Sequence, residues 1–334
     1  MGTNVKENRE NHGNNNNNNT IELANGFRIV DYKVTKFIAK GAFGAVYQVD
    51  HINTLPFALK IENRDSDKKH LKIEVVVLKA LTELHSPFFC RVFFCGRAEH
   101  FNFLIMTLVG KNLGELRSMC TNQRVSKSCG LQLGIQMINA LQQLHSVGYI
   151  HRDVKPANFC VSLENASQLV MVDFGMCRKY VTEGGGQLRH PRWFVRGFKG
   201  TVRYAPLATH HGRDSARKDD LESAFYVIVE LIVGTLPWMT MEEPVHVEHA
   251  KQVARTTDLR EFLSGCPKEL VHVLTYIDSL HFYDAPDYPM IRGLMHRAME
   301  KFPRESFEWE EEMKIERRKT ETMRSKEEIE LEDG

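Results

Sequence analysis

The chain has 334 residues, 42% hydrophobic and 26% charged, an ordinary globular composition long enough to bury a sizeable core as one large or two small domains. Lys and Arg total 44 against 43 Asp and Glu, a formal net charge of +1, which excludes a global pull towards nucleic acid or an acidic membrane; any basic patch is local. Seven scattered cysteines, Cys90 and Cys95 the closest, have no Cys/His cluster to complete a zinc site, so they read as reduced thiols of an intracellular protein, in cytoplasm or nucleus.

Residues 1–24 are polar, carry the tract Asn14–Asn19 and read as a disordered leader. They lack an apolar h-region, so no secretory signal is expected. Gly2 would suit myristoylation, but Lys6 stands where that motif wants Ser or Thr. No apolar run is long enough to span a membrane: Ala224–Val233 is short and holds Glu230.

From Phe27 to about Leu108, β-type runs recur at Tyr32–Ala39, Ala45–Val49, Phe57–Ile61 and Phe101–Met106, interrupted by a helical segment over Lys68–Leu84. Helices then dominate. Leu133, Met137, Leu141 and Leu144 share one helix face before Gly148, and Leu221–Val233 is apolar almost all round, as in a helix buried on every side. The expected fold is α+β and bilobal: a small β-rich N-lobe with one key helix (25–107), then a larger, mainly helical C-lobe (108–303). Residues 304–334 form a mixed-charge run (Glu308–Glu312, Arg317, Arg318, Lys319, Glu327–Glu332), expected as a solvated helix or frayed tail.

Four constellations carry chemistry. The first is Ile38, Ala39, Lys40, Gly41, Ala42, Phe43, Gly44, Ala45 and Val46 between two strands; glycines let backbone N–H groups approach phosphate oxygens, although a plain hairpin turn is the commoner use of such a loop. Ala39 stands where G-x-G-x-x-G has its first Gly. The second is Lys60 on the apolar strand Phe57–Lys60; a buried ammonium needs an anion, and phosphates or Glu74, on the following helix, can supply one. The third is His151-Arg152-Asp153-Val154-Lys155-Pro156-Ala157-Asn158. There Asp153 can orient a hydroxyl or accept its proton, Lys155 can hold phosphoryl oxygens, and Asn158 can reach a metal ion. The fourth is Asp173-Phe174-Gly175 behind a strand, where Asp173 can ligate Mg2+. Each of the loop, Lys60, Glu74 and Asp173 has a bland reading alone; their shared order with Asp153 and Asn158 gives them force.

In that order the residues resemble the eukaryotic protein kinase fold over about residues 27–303. Gly200-Thr201-Val202-Arg203-Tyr204-Ala205 and Arg217–Ser223 resemble the casein kinase I family, and Asp173–Tyr180, Arg189–Ala205, Leu236–Trp238 and Tyr288–Arg292 are most similar to its tau-tubulin kinase branch. The resemblance implies a monomeric serine/threonine-protein kinase that uses ATP and Mg2+, acts on protein substrates, and needs no activation-loop phosphorylation. It implies Thr201 beside Asp153 and Lys155, and Asp220 bracing the catalytic loop. It further implies Met106 as gatekeeper, Thr107–Val109 as an adenine-binding hinge, Ala58 and Cys160 on the two faces of adenine, and a spine of His151, Phe174 and Leu78. The Glu of the usual Ala-Pro-Glu element is missing, since Leu207 follows Ala205-Pro206.

Arg203 matches one member of that family's substrate-anion pocket, and Lys251 lies near the place of another. Arg178, Lys179, Arg189, Arg192, Arg196, Lys199 and Arg203 form a basic stripe: a solvated loop, or an attractor of acidic or pre-phosphorylated substrates. Two other classes of function compete. A pseudokinase would lack one of Lys60, Asp153, Asn158 or Asp173, and all are present. An assembly component recruited by its tails has only the Asn tract in its favour.

Overall fold

A computed structural model describes residues 21–41, 44–51, 55–66, 69–182 and 186–315. The Asn tract, Gly2, Lys6, Ala42, Phe43, Lys68 and the charged positions from Arg317 onward lie outside the described residues.

Period-two burial builds an antiparallel sheet from β1 (Arg28–Ile29), β2 (Tyr32–Gly41), β3 (Gly44–Asp50), β4 (Phe57–Asn63), β5 (Val92–Arg97) and β6 (Phe101–Thr107), in the spatial order β1-β2-β3-β4-β6-β5. In β3, Ala45, Tyr47 and Val49 point inward to join Val34, Leu59, Ile61, Phe101, Phe103 and Ile105 in one core. Helix α1 (His70–Thr82) buries Leu71, Glu74, Val77, Leu78 and Leu81, a helical stripe with one carboxylate in it. Lys69 supplies no side-chain cap; instead Glu62 of β4 accepts the Leu71 N–H at 3.1 Å, an anion at the helix N-terminus. These elements, up to Val109 and joined by Val172–Cys177, form one compact unit.

Gly110–Met171 and the chain from Arg178 onward form a second unit. It contains α2 (Leu113–Met119), α3 (Lys127–Ser146), β7 (Tyr149–Ile150), β8 (Phe159–Val161), β9 (Leu169–Met171) and β10 (Arg178–Lys179). It continues with α4 (Leu207–His210), α5 (Arg217–Val233), α6 (Pro244–Arg255), α7 (Leu259–Phe262), α8 (Glu269–Ser279) and α9 (Tyr288–Met299). Asn112 and Glu115 cap α2 reciprocally, and Ser126 caps α3 through the Cys129 N–H. Leu133, Met137, Leu141 and Leu144 are all buried, and α5 is buried from Asp219 to Ile232. The strands β7 with β10, and β8 with β9, pair as short ribbons that present the loops carrying Asp153 and Asn158.

The end of the described chain corrects an expectation. Within the charged run, Phe307 and Trp309 are buried with their rings stacked 4.9 Å apart. Trp309 Nε1 donates to the Ala166 carbonyl at 3.1 Å, and Ser167 Oγ donates to Glu310 at 2.8 Å. Residues 304–315 are therefore anchored to the second unit through Phe307 and Trp309, while most of the other side chains of the segment stay exposed. Two buried aromatics, at about 1.5–3 kcal/mol each, hold it against the pull of its charges towards water.

Candidate active site

In the first unit, register places Lys60 of β4 opposite Val46 on one side and Leu104 on the other. Its ammonium lies 2.6 Å from Glu74 Oε2 and 2.9 Å from Asp173 Oδ1. Burial alone would lower the Lys60 pKa; the two carboxylates outweigh it and raise it above the ordinary lysine value. Asp173 sits at φ 63°, an uncommon conformation for a residue with a side chain, and opens a single turn of 3-10 helix over Phe174–Met176. The Gly175 carbonyl lies 2.8 Å from His70 Nδ1, and the Phe174 ring lies 6.0 Å from that of Phe89. Leu78 and Phe174 are both buried in this unit, while His151 is buried in the second.

The loop Ile38–Val46 is the tip of the β2–β3 hairpin, with Ala39 opposite Val46, Lys40 opposite Ala45 and Gly41 opposite Gly44. Gly44 is required by packing: a Cβ there would meet the Ile61 carbonyl oxygen at 1.8 Å. Ala39 is not among the described residues with positive φ, so its methyl is accommodated in β2. Ala58 is buried opposite Met106, itself buried on β6. Thr107 donates its N–H to Arg91 and accepts the Arg91 N–H on its hydroxyl, whereas Val109 has no hydrogen-bond partner among the described residues.

In the second unit, Asp153 is held on every side. Lys155 Nζ donates to its Oδ2 at 2.6 Å and Thr201 Oγ1 donates to its Oδ1 at 2.9 Å. Asn158 Nδ2 donates to the Asp153 carbonyl at 2.8 Å, which commits the amide nitrogen and leaves Oδ1 as the atom suited to a cation. Gly200 has φ 93°, and a Cβ there would lie 2.7 Å from the Arg152 carbonyl; only glycine lets Thr201 come this close. Arg152 has φ 68° and is kept there by Asp220, which accepts the His151 N–H at 2.7 Å and the Arg152 N–H at 2.8 Å. Burial alone would raise the Asp220 pKa, but these donors and His145 hold it below the usual carboxylate range. Cys160 on β8 is buried, and burial pushes its thiol up to about 12, the behaviour of an apolar wall rather than a nucleophile.

Among the described residues no group of three or more His, Cys, Asp or Glu is placed to hold a metal by itself. A cation carried on phosphates needs only one or two protein ligands, and a carboxylate such as that of Asp173 is chemically fitted to be one. Among the described residues no helix is long and apolar enough to cross a membrane.

The anion-reading residues fare differently. Arg203 keeps 38% of its side chain exposed, with one nitrogen donating to the Met239 carbonyl at 3.1 Å and another 3.9 Å from Glu230. Lys251 corrects the expectation: it is 0% exposed, and its ammonium is spent on the Val202 and Ala205 carbonyls, so it cannot meet a substrate phosphate at the surface. The basic stripe is partly neutralised, because Arg178 and Arg192 both pair with the buried Asp214. Those guanidiniums outweigh burial and hold the Asp214 pKa below the usual range.

Two features escaped the sequence. His145, in the apolar face of α3, bridges Asp220 at 2.8 Å and the Tyr288 hydroxyl at 2.6 Å. Glu222 of α5 accepts the Leu207 N–H at 2.8 Å and the Arg255 guanidinium at 2.7 Å, an acidic anchor after Ala205-Pro206 where the chain has Leu207 instead of Glu. The sign of His145 was a polar side chain beside Leu141 and Leu144; that of Glu222 was a carboxylate in an otherwise buried helix.

Comparison with known proteins brings these features together. Residues 32–299 match the family described as Protein kinase domain. A Dictyostelium discoideum protein named "Probable serine/threonine-protein kinase" is 37% identical over 268 residues, covering 79% of this chain and 53% of the relative. The Caenorhabditis elegans serine/threonine-protein kinase spe-6 is 35% identical over 276 residues, covering 80% and 71%. Casein kinase I homolog 3 of Schizosaccharomyces pombe is 33% identical over 272 residues, covering 79% and 61%. The matched part of the chain thus spans from about half to seven-tenths of these relatives' length.

Proposed function

This chain belongs to the protein kinase family, within its casein kinase I group, and from that premise we propose that it is an active serine/threonine kinase transferring the γ-phosphate of ATP to protein hydroxyls. The observation that carries the reading is the Lys60 ammonium, held 2.6 Å from Glu74 and 2.9 Å from Asp173. A binding module has no reason to set a half-buried cation against two carboxylates on separate segments; a phosphate-orienting lysine does.

In this reading Lys60, fixed by Glu74, orients the α- and β-phosphates, and the loop 38–46 covers them. Ala58, Met106 and Cys160 give apolar contact to adenine, and Thr107–Val109 its backbone hydrogen bonds. Asp153 positions the acceptor hydroxyl and takes its proton, while Lys155 offsets charge on the transferring group and Thr201 fixes the carboxylate's rotamer. On the family resemblance Asp173 and Asn158 would be ligands for Mg2+, which would screen the phosphates' negative charge.

The finer placement near the tau-tubulin kinases, and a monomeric state, belong to the same proposal and rest on the residues quoted for the branch. So does a preference for acidic or pre-phosphorylated sites, supported by Arg196, Lys199 and the partly exposed Arg203 rather than by the whole stripe. Incubation with casein and γ-labelled ATP tests the activity: label on serine and threonine, absent from Asp153→Asn, is expected. Wild type without transfer sinks the reading. An Arg203→Ala variant with unaltered preference for acidic peptides sinks the substrate preference alone.

A further inference from the structure

Lys251 is the buried cation that the catalytic scheme does not use. It lies on α6 in the stripe Val247, Lys251 and Ala254, all buried. Its ammonium donates to the Val202 carbonyl at 2.8 Å and the Ala205 carbonyl at 2.6 Å, and lies 3.1 Å from His210 Nε2. Three acceptors match the three N–H bonds of an ammonium. The rings of Tyr226 and Trp238 flank it, with centroids 5.0 and 5.5 Å away. Among the described residues no carboxylate pairs with it, an expensive arrangement for a buried charge unless the carbonyls it satisfies matter.

Those carbonyls belong to one short segment. Thr201, immediately before it, donates to Asp153, and Leu207, just after it, is anchored by Glu222. Trp238 Nε1 donates to the Arg203 carbonyl at 2.8 Å between the two lysine bonds. Residues 201–207 are thus pinned at successive points to the acceptor site on one side and to α5 and α6 on the other.

We propose that Lys251 is a positioning residue whose ammonium fixes the 202–205 backbone as the platform on which the acceptor peptide of the substrate lies. The proposal rests on the kinase reading, because it needs a peptide that approaches Asp153. It assigns Lys251 the opposite duty to anion reading: the residue shapes the platform from beneath and never meets the substrate.

The groups facing the ammonium decide how the platform responds to pH. They are His210 on α4, Glu222 and Tyr226 on α5, and Arg255 on its own helix. Burial lowers the Lys251 pKa to about 7, with Glu222 opposing that and Arg255 reinforcing it. Burial, then Lys251, lowers the His210 pKa to about 4, so its imidazole stays neutral and can accept. Below neutrality the ammonium fills all three acceptors; an opening that returns Lys251 to water restores its ordinary proton affinity and takes up a proton, so opening of the segment is harder as pH rises through about 7.

Two measurements decide the matter. In Lys251→Met, which nearly conserves volume, KM for a serine peptide should rise about tenfold while KM for ATP stays within about twofold. Equal changes in both constants, or none in either, would overturn the proposal. In the wild type, amide hydrogen exchange of residues 202–207, corrected for the intrinsic pH dependence, should gain protection by about threefold or more on going from about pH 6 to pH 8.5. Unchanged protection would overturn it, and this arm decides alone if the variant does not fold. The exchange arm needs no catalysis, so a chain that transfers no phosphate removes the kinase reading while the latch is still judged.

Discussion

Two lysines in this molecule, Lys60 half-buried and Lys251 fully buried, start from the same side chain and end with opposite acid–base character. Lys60 is raised because two carboxylates, at 2.6 and 2.9 Å, more than offset its burial. Lys251, given two carbonyls and an imidazole instead, is lowered to about 7. Partial charges satisfy hydrogen bonds but do not replace a counter-ion. A lysine built to meet phosphate is thereby locked as a cation, whereas one built to hold backbone is left near the point of losing its proton.

The largest expected effect is on the first side of this contrast. Lys60→Met should lower turnover by roughly 10³-fold or more with the melting temperature nearly kept, because positioning and charge are lost but the strand's apolar packing is not. Loss of folding instead would make Lys60 structural. Glu222→Gln comes next: it leaves the Arg255 guanidinium beside a neutral amide in a buried network with Tyr226, and should destabilise by about 3 kcal/mol in a denaturant titration. Unchanged stability would mean that Asp278, the second carboxylate on Arg255, suffices. Glu74→Gln should cut turnover about 10–100-fold with KM for peptide unaffected, since Lys60 keeps Asp173 but loses its closer anchor.

The smallest effect is the pH signature of Lys251. Its folded value of about 7 lies below the ordinary 10.5, so between those limits the unfolded chain holds more protons and stability rises with pH. The gain between pH 7 and pH 9 should be about 2 kcal/mol and should be missing from Lys251→Met, the difference between the two chains isolating this group. Parallel pH–stability curves would show that folded Lys251 keeps its proton throughout this range.

What the sequence revealed follows from the same physics. Strands β2, β3, β4 and β6 and helices α1, α3 and α5 carry their periods openly, and Lys60, Glu74, Asp153, Asn158 and Asp173 stand in an order that few other folds need. Strand β5 escaped because it lies at the sheet edge: Phe93 and Phe94 are both exposed, so no alternation marks it. Phe307 and Trp309 escaped because glutamates surround them, although two aromatics in a charged run are themselves a sign of docking. Lys251 was misread by its charge. Its spacing from Val247 and Ala254 puts it on the buried face of α6, and a lysine completing an apolar stripe is a better clue to a backbone anchor than to a surface anion site.

The single most direct measurement is γ-phosphate transfer to a serine peptide under Mg-ATP by wild type, Lys60→Met and Asp153→Asn side by side. The predicted result is transfer by wild type and a loss of about 10³-fold or more in each variant, with all three chains folded. Equal incorporation by the three, or none by any, would contradict the assignment of these residues to phosphoryl transfer.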